Sequence, residues 1–286
     1  MTRRWVGAAA IGAASVVGYR KVLRPWHETW GATDEEVRSS LPGDVFTAEP
    51  AAQVTRAITI EAPPEDVWPW VVMLGADRGG FYSYDWLENL FGLGIHSTDR
   101  IVAEWQERAV GEPMLGDARG RGGWLVMEVR PNEALVVKTA NLKTSQPVLR
   151  DEPPAFWEFT WAFVLQGQPD GTTRLLVRER VGFGNKVAQF LMSPIGLVSF
   201  VMTRKTMHGI KARAEALTGE RSSQSSPLAK EPKDERQRGQ HEGAGHDAVG
   251  VDRGLPLHVL AADDEGPGGP ARHPEPGSHS LTGTIG

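Results

Sequence analysis

The chain has 286 residues, no cysteine, 31 Lys and Arg against 36 Asp and Glu, and a formal net charge of −5. The missing cysteines exclude disulfides, a thiol nucleophile and Cys-based zinc sites. An acidic balance with no basic stripe interleaved by aromatics argues against a nucleic-acid-binding surface.

Composition divides the chain. Residues 1–25 form an apolar N-terminal segment, 26–50 a lead-in, 51–220 the main domain and 221–286 a tail. The first segment, "MTRRWVGAAAIGAASVVGYRK", sets an apolar run from Trp5 to Tyr19 between Arg3, Arg4 and the cations Arg20, Lys21 and Arg24. The run is shorter than the ~20 residues a membrane-spanning helix needs, and the cations behind it disfavour signal-peptide cleavage. Membrane association through residues 5–19 is the leading reading. An exported segment and a packed helix of a cytoplasmic protein are the alternatives, and cations on both flanks leave the orientation open.

In the lead-in, Thr33 and Glu36 have the spacing of a capping box, which predicts a helix from Asp34 to about Ser40, turned by "LPGD". "QVTRAITIEA" then alternates as a strand, with Arg56, Ile58 and Ile60 on one side. Pro63 and Pro64 end it, and Glu65 and Asp66 suit the positive start of a helix. Val67, Val71 and Leu74 make that helix's buried stripe. Pro69 lies inside it, and Gly75 ends it.

The stretch "DRGGFYSYDWLENLFG" (77–92) holds two of the chain's three tyrosines. Gly79 and Gly80 suit a tight turn. Ser83 or Asp85 can cap a following helix, and Asp85 with Glu88 repeats the capping-box spacing. Trp86, Leu87, Leu90 and Phe91 are the expected apolar side. Arg78, Tyr82 and Tyr84 are left over by this grammar. They are candidate ligand-binding residues, a polar rim on a cavity with Arg78 holding an anionic head group. The plainer reading pairs Arg78 with Asp85 or Glu88. His96, in "FGLGIHSTDR", is a weak candidate general base beside Asp99; a solvent-facing or capping role is the simpler reading. His27, Asp34 and His96 show no metal-ligand spacing.

"DRIVAEWQ", "GWLVMEVRP" and "ALVVKTA" read as strands between turn residues. In "AFWEFTWAFVLQ", Trp157, Phe159, Trp161, Phe163 and Leu165 share one face at period two. After a Pro-Asp-Gly turn, "GTTRLLVRERVGFG" completes a hairpin. Leu175, Val177 and Val181 share a face with Glu179, while Arg174, Arg178 and Arg180 point the other way. An inward carboxylate must be paired, protonated or bound to a ligand. Glu179 is therefore both a candidate ligand contact and a candidate acid or base, with Asp85 and His96 as weaker catalytic candidates. The alternative for Glu179 is a strand end reaching water or an Arg partner. No G-x-S-x-G occurs, and "RGRGG" (119–123) lacks the Lys and helix of a P-loop. "NKVAQFLMSPIGLVSFVMTRKTMHGIKARAEAL" is helical, interrupted at Pro194 and Gly196. It is expected to pack over the sheet; the alternative is a lid touching a bilayer. From Arg221 the Gly, Pro, Ser and charge content predicts disorder, and the irregularly spaced histidines of the tail suit no metal site.

Taken together, "AITIEAPPEDVWPWV", "RGGFYSYDWLEN" and the terminal helix around "VMTRKTMHGIKARAE" resemble the SRPBCC superfamily, and the "WGATDEEV…LPGD" lead-in resembles an uncharacterised bacterial branch of it. The resemblance spans about 26–218. It implies an α+β helix-grip fold, also called START-like or Bet v 1-like: a curved antiparallel sheet wrapped around a long C-terminal helix, with a hydrophobic cavity between them. Members bind lipids, polyketides or other apolar ligands, and some are enzymes; no catalytic set is common to all, so fold alone does not assign function. The expected function is noncovalent binding or transport of a lipid- or polyketide-like molecule against Trp157, Phe159, Trp161 and Phe163. The alternatives are a cyclase or dehydratase using a cavity acid or base, and a membrane-tethered interaction module. No cofactor or metal is expected, and the oligomeric state is left open.

Overall fold

The computed structural model describes residues 17–151, 153, 157–192 and 195–224. Most of the apolar run 5–19, and the tail from 225 onward, lie outside the described residues. Among the described residues no helix is long and apolar enough to cross a membrane.

The architecture is α+β, a seven-stranded antiparallel sheet with a long C-terminal helix. A π-helical turn (Tyr19–Leu23) leads into α1 (Arg24–Glu28). The capping box of Thr33 and Glu36 forms, with both reciprocal hydrogen bonds, and starts α2 (Asp34–Arg38). A 3-10 turn (Asp44–Thr47) precedes β1 (Ala52–Ile60) and α3 (Pro64–Val72), which contains Pro69. Next come α4 (Asp85–Leu90), β2 (Pro113–Leu115), β3 (Gly123–Arg130), β4 (Ala134–Asn141) and β5 (Gln146–Pro147). The hairpin β6 (Trp157–Gly167) and β7 (Thr173–Phe183) is followed by α5 (Lys186–Met192) and α6 (Ile195–Gln224). The sheet order is β1-β7-β6-β4-β3-β2, with β5 on β4 and a bulge in β3 between Val126 and Glu128.

"DRIVAEWQ" is not a strand. Its Trp105 and Gln106 amides return to Val102 and Ala103, so the segment curls into a 3-10 turn (Ala103–Trp105), and Val102 N–H meets the Met73 sulfur. α6 also runs four residues into the tail-like composition. Arg221 pairs there with Asp66 of α3, and Thr218 donates to the same carboxylate at 2.6 Å.

Both faces of the sheet are covered. On the inner face Leu135, Val137, Trp161, Phe163, Leu175 and Val177 join Met207, Ile210 and Ala214 of α6 in the main core. On the outer face Ala57, Val136, Ala162, Val164 and Leu176 pack against Leu41 and Phe46 of the lead-in. Charge fixes this outer layer. Arg178, 1 % exposed, donates to Asp44 at 2.8 Å, to the Thr55 hydroxyl, and to the carbonyls of Glu36, Val37 and Ser39. Arg180 also pairs with Asp44, at 3.0 Å, and Arg174 pairs with Glu36 at 2.7 Å. Carbonyl oxygens at the end of α2 and in the lead-in thus receive the guanidinium donors that β7 projects, which satisfies buried polar groups on both sides.

Removing one partner of a buried pair leaves the other charge uncompensated. Asp44→Ala is expected to lower the unfolding free energy by about 3 kcal/mol, read as a shifted midpoint in urea denaturation. A midpoint within error of the parent would show that the carbonyls alone hold Arg178 and Arg180.

Candidate functional site

Between the inner face of the sheet, α1 and the start of α6 lies a hollow of about 390 Å³. Trp124, Trp157, Phe159, Val181 and Phe183 give it an apolar wall; Arg56, Glu179, Ser199 and His27 are among its polar groups, together with Arg20, Arg24, Glu28 and Gln189. A smaller hollow of about 230 Å³ adjoins it, sharing Trp124, Phe159, Glu179 and Ser199 and extending past Phe81, Trp161 and Glu88.

Glu179 stands where the two meet. β7 turns it inward, in register with Val54 of β1 and Trp161 of β6, and it is 4 % exposed. Its Oε1 accepts from Arg56 Nη1 at 2.8 Å and from the Thr203 hydroxyl at 2.7 Å; its Oε2 accepts from the Ser199 hydroxyl at 2.6 Å. Arg56, 1 % exposed, donates its Nε to the His27 carbonyl at 3.0 Å and lies 5.5 Å from the centre of the Phe200 ring. Its Nη2 has no hydrogen-bond partner among the described residues. Three donors occupy and orient the Glu179 side chain, so the arrangement suits a fixed polar anchor better than a mobile base. His27 packs between Tyr19 and Phe200, and burial lowers its pKa, favouring the neutral ring.

The other sequence candidates separate. Trp157 and Phe159 line the larger hollow and Trp161 the smaller. Phe163 lines neither; it is fully buried, 4.7 Å from the Trp161 ring, where α6 closes on the sheet. Arg78, Tyr82 and Tyr84 are not on the wall of either hollow. Arg78 clamps a loop: it donates to the carbonyls of Trp105 and Glu107 and pairs with Glu112, so its partner is neither Asp85 nor Glu88. Tyr82 is buried at a left-handed φ of 54°. The Ser97 hydroxyl accepts its N–H, Arg213 lies over its ring at 4.6 Å, and burial pushes its phenol well above the usual range. A side chain on Gly209 of α6 would meet this loop, since a Cβ there lies 2.6 Å from that of Tyr82. Tyr84 precedes α4, with Lys205 5.8 Å from its ring centre. Asp85 accepts from the Ser97 N–H and hydroxyl, both at 2.7 Å, and so fixes a loop. His96 is exposed and lines neither hollow.

α4 reverses the expected amphipathicity. Asp85, Glu88 and Asn89 form the stripe turned to the protein: Asp85 binds Ser97, Asn89 binds both backbone groups of Ile95, and Glu88 is 5 % exposed. Trp86, Leu90 and Phe91 face outward, Trp86 at 69 % and Phe91 at 71 % exposure. The capping-box pairing of Asp85 with Glu88 does not form.

Sequence reasoning missed Arg56, Trp124, Ser199 and Glu88. Arg56 carried a signal, because an arginine shares its strand face with Ile58 and Ile60. Trp124 and Ser199 sit in apolar runs that mark burial without marking a cavity.

No protein-family model matches the chain, and no curated protein matches it. Solved structures do. One is a protein from Nitrosomonas europaea, at TM-score 0.37 and 14% identity over 59% of this chain and 97% of that one. A protein from Arthrobacter aurescens gives 0.34 and 16%, over 62% and 91%. DynU16, described as a putative protein in the dynemicin biosynthetic locus, gives 0.30 and 14%, over 59% and 48%.

Burial and the neighbouring Asp85 charge raise the Glu88 carboxyl from its ordinary 4.5 to about 7. The folded state thus holds this proton more tightly than the unfolded chain. The stability tied to the neutral form is complete below pH 4.5 and is lost as pH rises through about 7. Melting temperatures from about pH 5 to about pH 8 are expected to shift in favour of Glu88→Gln relative to the parent as pH rises. Parallel curves would show that Glu88 does not carry this linkage.

Proposed function

We propose that this chain is a helix-grip protein of SRPBCC type that binds an apolar small molecule without covalent chemistry. The observation that carries the reading is the larger hollow, an aromatic wall facing a buried, hydrogen-bonded Arg56–Glu179 pair. Small-molecule sites are commonly concave and mostly apolar, with few fixed polar groups. Trp124, Trp157 and Phe159 supply contact area. Arg56 and Glu179 line the same space and supply its fixed charges. The sequence motifs and the antiparallel sheet under a long helix support the same reading.

Native mass spectrometry of the full chain is expected to find a co-purifying small-molecule adduct, and Nile red to bind saturably. Trp157→Ala should weaken Nile red by roughly tenfold, the loss of one aromatic contact of ~1.4 kcal/mol. No adduct together with no saturable dye binding would overturn the reading.

One further observation favours exchange of the ligand with a bilayer, the role first considered for the lid. Val187 and Phe190 of α5 and Leu197, Val198 and Val201 of α6 are exposed, next to Gln189 and Gly196 of the hollow wall. Apolar patches of this kind commonly mark contact surfaces. Phe190→Ser with Leu197→Ser is expected to reduce co-sedimentation of the chain with phosphatidylcholine vesicles at least severalfold; unchanged co-sedimentation would remove this role.

A further inference from the structure

Short helical elements surround the mouth of the larger hollow. Tyr19, Arg20 and Arg24 border it from the N-terminal turns and α1, Gln189 from α5 and Gly196 from α6. The two sides meet where the Trp26 ring lies 5.3 Å from that of Phe200. Val22, Leu23 and Trp26 are each more than half exposed, as are Phe190, Leu197 and Val198 opposite them. Large apolar side chains gathered in the open around one entrance mark a contact surface.

Charge on these elements has one sign. Residues 17–28 and 186–205 hold the bases Arg20, Lys21, Arg24, Lys186, Arg204 and Lys205 and the single acid Glu28, in a chain whose formal charge is −5. Glu28 is paired with Arg24 at 2.8 Å. Arg204 and Lys205 lie over the rings of Trp30 and Tyr84. Arg20, Lys21 and Lys186 are exposed, and their side chains enter no hydrogen bond or ion pair among the described residues. Asp151, which comes close to Gly184 just ahead of α5, does not reverse this balance.

Exposed apolar groups interleaved with free cations fit a partner that is apolar beneath an anionic surface. A bilayer rich in acidic lipid is such a partner. Long cationic side chains reach its headgroups while their stems lie along apolar surface. A second copy of this chain fits poorly, because a two-fold interface sets the patch against itself and cation against cation. The apolar run from Trp5 to Tyr19 leads straight into the same surface.

We infer that the mouth of the larger hollow is a docking face for anionic bilayers, with Val22, Leu23 and Trp26 entering the interface beside Phe190 and Leu197, and Arg20, Lys21 and Lys186 meeting acidic headgroups. The inference rests on the bilayer-exchange role above and deepens it, by naming the charge of the lipid and a second element that touches it.

Co-sedimentation of the full chain is compared between vesicles of phosphatidylcholine alone and of equal parts phosphatidylcholine and phosphatidylglycerol. The parent is expected to bind the anionic vesicles about a hundredfold more tightly, as three free cations imply. That advantage should fade between about 0.05 M and about 0.5 M salt. Lys21→Gln with Lys186→Gln should lower affinity for the anionic vesicles about thirtyfold and leave that for the neutral ones unchanged. Arg38→Gln, on α2 at the outer face, should bind as the parent does. Val22→Ser with Leu23→Ser should weaken binding to both kinds of vesicle about tenfold at an unchanged melting temperature. Equal affinity for the two vesicles, or a charge preference that survives Lys21→Gln with Lys186→Gln, would overturn the inference and leave the exchange role standing. Unchanged binding by Val22→Ser with Leu23→Ser would overturn it too, by removing the N-terminal turns from the interface. So would self-association in sedimentation velocity that this pair abolishes, since the face would then belong to a second copy. Binding to neither vesicle would remove the exchange role and the docking face with it.

Discussion

The Arg56–Glu179 ion pair is the point on which the rest of the structure depends. It joins β1 to β7 on the inner face, reaches α1 through the His27 carbonyl, and reaches α6 through Ser199 and Thr203. Taking two charges out of water is unfavourable, and replacing such a pair by apolar groups is often neutral or stabilising. Its value is positional. A carboxylate that must find three donors in a dry interior admits few arrangements of the elements that carry them.

That constraint also separates the two halves of α6. Toward its C-terminus, Met207, Ile210 and Ala214 pack into the main core. Toward its start, Ser199 and Thr203 meet the sheet through Glu179, and Gly196, Ser199 and Met202 border the hollows. One helix therefore closes the core at one end and leaves usable space at the other. The aromatic row of β6 follows the same division: Trp157, Phe159 and Trp161 border space, and Phe163 is packed solid.

Period two in β6 and β7 was plain in the sequence, and with it the inward direction of Glu179, because a strand's alternation depends only on local geometry. The capping box of α2 was equally legible, since both partners lie within four residues. What escaped depends on partners distant in the chain. Arg78 found Glu112, thirty-four positions on, rather than the acids beside it. The 101–105 segment had strand-like residues but spends its amides on a local turn. The orientation of α4 was misread because apolar side chains usually set the buried face. Here Asp85 and Asn89 bind the 95–97 loop, and these polar contacts rotate Trp86 and Phe91 to the outside.

The lead-in gains a different meaning from its contacts with β7. Leu41 and Phe46 cover an apolar sheet surface that includes Val136, Val164 and Leu176, and the three arginines of β7 spend their donors on lead-in carbonyls and on Glu36 and Asp44. A chain beginning at β1 would present that surface bare, with unpaired guanidinium groups along it. Such a broad apolar sheet face is a template for self-association. Leu41, Asp44 and Phe46, which line neither hollow, thus bear on whether the sheet behind the hollows stays covered.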